Sequence, residues 1–333
     1  MSAPPRAPPG ASPGAPAGAP AGAPAGAPGA GRGGIRPYLA LAVGMIAVSS
    51  SAILIAFARR QGVPAIAIAA LRMAFSAAAL APFVLARSRF ELLRLPLGDI
   101  ALAAGSGALL ALHFAFWISS LDYTSVMSSV VLVSTNPLFV ALASVALLRE
   151  SVSRWTVLGI AVAIAGGVIV GLSDLGQASG SSLKGDILAL LGAVAASGYL
   201  LIGRHLRQRV SLLPYVGIAY SSAAVVLFLI ALASGTPLLG YSLPGYALVG
   251  LLAAGPQLIG HTSYNWALKH VSAVFVTVTL LAEPVGATLL AIPLLAEVPS
   301  TVRLLGGGLI LAGIWLAARG ENLKGKGKPL ARR

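Results

Sequence analysis

Apolar runs long enough to cross a bilayer recur along most of this chain, and they leave few folds open. They fall at about 39–57, 65–86, 100–121, 125–148, 155–172, 187–203, 212–233, 246–268, 271–295 and 302–318. At about 1.5 Å of rise per residue, ~17–25 helical residues span a hydrocarbon core of roughly 30 Å. The connections are short and rich in Gly, Pro and charge. The exception is 173–186, SDLGQASGSSLKGD, which divides the runs five and five. Charged residues make up 10% of the chain and hydrophobic ones 57%, whereas a soluble domain carries about 25% charge. The expected fold class is all-α integral membrane with ten transmembrane helices.

The chain also repeats itself. Residues 121–153 and 268–300 align without a gap at a shift of 147: Ser125 meets Ser272, Pro137 meets Pro284, Glu150 meets Glu297 and Ser153 meets Ser300. Further on, Gly159 meets Gly306 and Gly166 meets Gly313. A shift of 148 pairs Gly44 with Gly192 and Ser49 with Ser197, and His113 lies within one position of His261. Each unit has an odd number of spans, so the two enter the membrane from opposite sides. The expectation is two inverted-topology five-helix repeats, 38–173 and 184–320.

Two tails flank them. Residues 1–34 hold the run PGAPAGAPAGAPAGAPG, which has no large apolar side chain to bury and is expected to be disordered. This tail lacks the apolar segment of a signal peptide, and its Gly recurs every four residues, not every three as in collagen. Residues 321–333 form a basic tail.

A sequence pI of 10.9 would suggest nucleic acid in a soluble chain. Here the basic residues sit between apolar runs, so the partner is the lipid bilayer and no nucleic acid is expected. With the N-terminus in the cytoplasm, only Arg59, Arg60, Lys184 and Arg303 of the 23 Lys and Arg fall outside, with Arg72 inside a span. The positive-inside rule then places both termini in the cytoplasm of a plasma (bacterial inner) membrane. The absence of Cys excludes disulfides, thiolate metal sites and a Cys nucleophile. No HExxH or GxGD motif occurs, so neither an enzyme nor a cofactor or metal is expected.

The order "apolar helix, Pro in mid-span, apolar, Glu, Ser-x-x, Gly-rich helix" occurs twice, as LVSTNPLFVALASVALLRESVSRWTVLGIAVAIAGGV and TLLAEPVGATLLAIPLLAEVPSTVRLLGGGLILAG. This resembles the EamA-type permeases of the drug/metabolite transporter superfamily, and ALRMAFSAAALAPFVLA resembles their Arg-containing second helix. The resemblance covers residues 38–320. It implies a ten-helix alternating-access carrier of small metabolites, often an exporter of amino acids or drugs. A facilitated uniporter, a channel-like pore and drug efflux by proton antiport stand beside that reading. The partner it implies is a small-molecule substrate; a proton is a further candidate partner on account of the mid-span Glu283. The oligomeric state expected is a monomer or weak homodimer.

Glu283 leads the candidate pathway residues, because a carboxylate in mid-span costs roughly 2.5–3.5 kcal/mol unless it faces protein or water. It either binds a substrate ammonium, carries a proton, or braces the ninth helix. Pro284 and Pro137 are expected helix kinks. Asn136 either bonds substrate or takes the carbonyl freed by Pro137. His113 and His261 either line the pathway or bond across helix pairs. Trp117 and Tyr264 either stack on substrate or belong to an interfacial belt. Tyr199, Gln257 and Asn265 are further polar groups at depth. Arg72 either binds a substrate carboxylate, snorkels to the headgroups, or pairs with an acid such as Asp186. Glu150 and Glu297, with Ser153 and Ser300 three residues on, are read as turn and capping residues. Gly167, Gly171 and the run Gly306 to Gly308 are read as packing residues between the fifth and tenth helices.

Overall fold

The computed structural model describes Met1 and residues 35–124, 129, 132–133, 135–147, 149, 151–172, 183–295 and 300–326. The expectations for the tail before residue 35, for Glu150 and Glu297 and for most of the central connection therefore lie outside the described residues. Every regular element among those described is helical. In chain order they are α1 (Arg36–Ser49), α2 (Ser51–Arg60), α3 (Ala65–Arg94), α4 (Leu97–Ser120), α5 (Asn136–Ala146), α6 (Arg154–Leu172), α7 (Leu183–Leu206), α8 (Leu212–Ala233) and α9 (Leu243–Leu252). A π-helical segment (Ala253–His261) follows, then α10 (Thr262–Ala267), α11 (Ala273–Leu280), α12 (Glu283–Leu295) and α13 (Thr301–Lys326).

Seven helices among the described residues are long and apolar enough to cross a membrane, counting α1 with α2 as one and α9 to α10 as one. Shorter apolar helices cover Asn136–Ala146, Arg154–Ile169 and Ala273–Ala287. The outer faces are greasy: Ile46, Phe83, Leu93, Phe228, Leu232 and Trp315 are exposed. Polar groups such as Arg72, Asn265 and Gln257 are buried instead. That inside-out distribution suits a body whose solvent is lipid.

Three of the expected continuous helices are interrupted, each for a local reason. The first breaks at Ser50, where the Ser49 hydroxyl donates to the Met45 carbonyl (2.8 Å) and that of Ser50 to the Ala47 carbonyl (2.8 Å). Such back-bonding competes with the helical ladder. The eighth passes through the π segment around Pro256, whose missing N–H leaves a carbonyl of the preceding turn without its usual partner. The ninth, expected as one span over 271–295, is instead two helices that part at Leu281–Ala282. The expected kinks at Pro137 and Pro284 are corrected accordingly: each proline is the second residue of a new helix, α5 or α12. A first-turn proline loses no intrahelical hydrogen bond.

The glycine expectation is met at Gly306 and corrected in its other described residues. Helices α6 and α13 do pack closely, but through Gly159 against Gly313 and Gly166 against Gly306. A Cβ on Gly159 would lie 2.5 Å from the Gly313 carbonyl oxygen, and one on Gly166 2.6 Å from that of Gly306. A Cβ on Gly167 or Gly308 would meet nothing within 4 Å. The sequence shift that carries Gly159 to Gly306 also carries Gly166 to Gly313, so each contact is the image of the other. The same exchange relates α4 on α7 to the π segment and α10 on α1, and α5 on α7 to α12 on α1.

Caps fix the helix starts. Ser153 accepts from the Thr156 amide (3.1 Å), as its position before α6 predicts. Ser272 accepts from the Phe275 amide (3.2 Å), while its own amide and hydroxyl donate to the Glu321 carboxylate at 2.6 and 2.7 Å. Glu321 thereby ties the start of α11 to α13. Glu321→Ala should cost about 1–2 kcal/mol and lower Tm in detergent by several degrees. An unchanged Tm, with no faster amide exchange at the start of α11, would remove that role.

Candidate functional site

The interior polar residues converge on Arg72. This side chain leaves the first third of α3 and is 1% exposed. Its Nε donates to Gln257 Oε1 at 3.1 Å, and its guanidinium carbon lies 4.2 Å from the centre of the Phe114 ring. The Nη1 and Nη2 atoms have no hydrogen-bond partner. Burying an ion costs several kcal/mol even after relaxation. One neutral hydrogen bond and a cation–π contact of about 2 kcal/mol offset only part of that. The two outer expectations for Arg72 are thus corrected. It does not reach the surface, and Asp186 accepts instead from the Thr124 hydroxyl (2.7 Å).

Around Arg72 stands an aromatic and imidazole wall. His261, from the end of the π segment, meets Phe114 edge-on at 5.5 Å and lies 6.2 Å from both Tyr199 and Tyr264. The π register places Gln257 and His261 together on α3 and α4. His113 stacks on Trp117 with rings 5.9 Å apart, and its Nδ1 lies 3.0 Å from the Gly192 carbonyl of α7. That cross-helix contact was one of its two expected roles.

The belt reading of Trp117 and Tyr264 fails, since they are 8% and 1% exposed and so do not face an interface. Trp117 Nε1, the Tyr264 hydroxyl and Gln257 Nε2 are buried without a partner. A Cβ on Gly44 would lie 2.9 Å from the Tyr264 ring, so only glycine lets α1 close over it.

Beneath this wall is a hydrogen-bonded floor. Asn265 Nδ2 donates to the Tyr199 and Tyr220 hydroxyls and to the His261 carbonyl. The Tyr220 hydroxyl reaches Thr262 at 3.2 Å, and the Tyr215 hydroxyl reaches Ser106 at 2.8 Å. Tyr215, Tyr220 and Ser106 were not among the sequence candidates. Their signal was a polar group inside an apolar run, a weak one for tyrosine. Arg207 was counted with the loops, yet it is buried and donates to the Asn265 carbonyl at 3.1 Å.

Glu283 is the first residue of α12, half-buried, and close enough to Arg72 and Tyr264 to interact electrostatically. No hydrogen bond joins it to Arg72, whose terminal nitrogens are unpartnered. A carboxylate at a helix start is favoured by the exposed amides and dipole there. Asn136 holds the matching first position of α5. Its carbonyl accepts from Ser197 at 3.4 Å, and its Oδ1 is buried without a partner. Helix α5 packs against α11, the first part of the interrupted ninth span. The side chain of Pro284 lies outside the described residues.

A cluster of this kind, enclosed by apolar helices, marks a multi-pass membrane protein with polar function inside it. The EamA-like transporter family matches the chain twice, over residues 36–172 and 183–319. The chain belongs to that family, which points to a transporter rather than an enzyme. It is 30% identical to an uncharacterized transporter of Archaeoglobus fulgidus over 76% of this chain and 88% of that protein. It is 28% identical to a probable terminal-alkyne amino-acid exporter of Streptantibioticus cattleyicolor over 56% of this chain, spanning 62% of the exporter's length. One solved crystal structure shares the fold at a TM-score of 0.70 and 23% identity, covering 85% of this chain and 96% of the other.

Proposed function

We propose that this chain is a secondary-active, alternating-access carrier that exports amino acids or amphipathic compounds across the plasma membrane. In this reading ten transmembrane helices form two inverted five-helix repeats, and the three shorter apolar helices belong to the remaining spans. Both termini face the cytoplasm, as the basic residues favour, and the carrier works as a monomer or weak homodimer. The candidates that gather around Arg72 line the substrate and proton pathway.

One observation carries the proposal. A polar cluster with an unpaired guanidinium, a carboxylate and several unpartnered donors is assembled from α3 and α4 of one half and α7, α8, the π segment, α10 and α12 of the other. Mobile halves that share a site near mid-membrane are what alternating access requires. The name of the Streptantibioticus relative supports amino acids as cargo. Drug efflux by proton antiport is the second reading, favoured by the half-buried Glu283, which could exchange a proton for cargo.

Counterflow tests the carrier directly. Purified protein in liposomes preloaded with unlabelled L-amino acids should take up labelled amino acid transiently above equilibrium, with saturation. Flux without saturation or counterflow would mean a pore and sink the carrier reading.

A further inference from the structure

We infer that the Arg72 guanidinium and the Gln257 amide together bind the carboxylate of the cargo, so that this carrier takes acids, with or without an amino group. The inference rests on the carrier reading and narrows its substrate class. Arg72 is 1% exposed and Gln257 0%. The bond from Arg72 Nε to Gln257 Oε1, at 3.1 Å, joins the two heads and uses the one acceptor they have between them. What is left over is Nη1 and Nη2 of Arg72 and Nε2 of Gln257: three buried nitrogens that can only donate, none with a partner. Trp117 Nε1, further along the same wall, is a fourth. The unpartnered buried amide oxygens among the described residues, on Asn136 and Asn265, are uncharged and cannot balance a guanidinium.

A cluster that only donates calls for a partner that only accepts. A carboxylate has two coplanar oxygens and a full negative charge, which suit the guanidinium fork bidentately. An amide or hydroxyl offers one neutral oxygen, and an ammonium would add a like charge. Phe114 covers one face of the guanidinium, with 4.2 Å from its ring centre to the guanidinium carbon, so the in-plane Nη edge is the approach that remains. At 1% exposure the fork lies out of reach of lipid headgroups, which leaves the anion to the cargo. Room lies along the same wall: His261 is only half-buried although Phe114, Tyr199 and Tyr264 stand around its ring, and His113 beside Phe114 is half-buried too. These rings are mostly apolar surface, so the rest of the cargo should be apolar or aromatic.

The test uses the full chain in detergent, in chloride-free buffer, and follows thermal shift and competition with L-leucine and L-phenylalanine. Each is set beside its α-amide, which lacks the carboxylate, and its des-amino acid, which keeps it. Wild-type protein should bind at least one of the acids about tenfold or more tighter than the matching amide, the scale of a charged hydrogen bond. Arg72→Gln should erase that preference. Gln257→Glu puts a carboxylate of the protein's own against the fork. It should raise Tm without ligand and abolish the preference, because the site is then already filled.

Amides that bind wild-type protein as well as the acids do, or a preference for acids that survives in Arg72→Gln or Gln257→Glu, overturn the carboxylate site. Saturable counterflow of the amides would then leave the carrier standing. No binding and no counterflow of any of these compounds overturns both the site and the amino-acid reading. Added chloride that raises the Tm of wild-type protein but not of Arg72→Gln, with acids and amides bound alike, would give the fork to an inorganic anion and overturn the inference as well. Should Arg72→Gln fail to fold, the wild-type series and the Gln257→Glu series still decide.

Discussion

Gly159→Val should destabilise this protein severely. A side chain there meets the Gly313 carbonyl at 2.5 Å and the Ala317 amide at 2.7 Å, both backbone atoms of a helix that cannot step aside alone. Forcing extra atoms into a packed contact costs typically 1–3 kcal/mol, and a backbone collision belongs at or beyond the top of that range. Against a total of about 5–15 kcal/mol, that is a large fraction. Gly313→Val should do the same from the other side. Gly167→Ala and Gly308→Ala meet open space and should be neutral or stabilising by up to about 1 kcal/mol, since Ala is the better helix former. Size-exclusion profiles and Tm in detergent read the contrast. Equal behaviour of Gly159→Val and Gly167→Ala would show that α6 and α13 do not meet as described.

The second large effect is functional. Glu283→Gln should lower counterflow at least about tenfold, the scale of losing one charged hydrogen-bond acceptor of roughly 1.5–3 kcal/mol. Gln keeps the shape of Glu but holds neither a charge nor a titratable proton. If Glu283 carries protons, the response of transport to pH should flatten as well. Stability should hold or rise, because a half-buried charge is removed and no hydrogen bond to Arg72 is broken. Transport in liposomes across several pH values, alongside Tm, separates the two. Unaltered transport and pH response would take Glu283 out of the pathway.

Much of the scaffold was legible in the chain. Transfer of apolar side chains into lipid is a local, additive quantity, so run length alone located the helices α3, α4, α7 and α8 to within a few residues, except at the ends of α3 and α7. Duplication is likewise a property of the string, and the glycines it matched meet, with partners exchanged, in the contacts of α6 with α13. The interruptions were less legible. Pro137 and Pro284 announced a disturbance, but whether a proline bends a helix or starts a new one depends on what neighbours can satisfy the freed backbone groups. The π register around Pro256 gave no separate signal.

The site divides in the same way. Arg72, Glu283, His113, His261 and Gln257 were noticeable because polar groups are costly in hydrocarbon wherever they point. Which way they point is a matter of helix rotation, and rotation is set by packing against other helices far along the chain. Composition and periodicity therefore determined that this is a membrane protein of helices with a duplicated plan and a few expensive polar residues. Only the tertiary structure decided that Arg72 turns inward onto Gln257 and Phe114, that Trp117 and Tyr264 leave the interfaces, and that Glu283 comes within electrostatic range of Arg72. The reason is physical: hydrophobic transfer acts residue by residue, whereas the partners of a buried charge are supplied by contacts between segments up to two hundred positions apart.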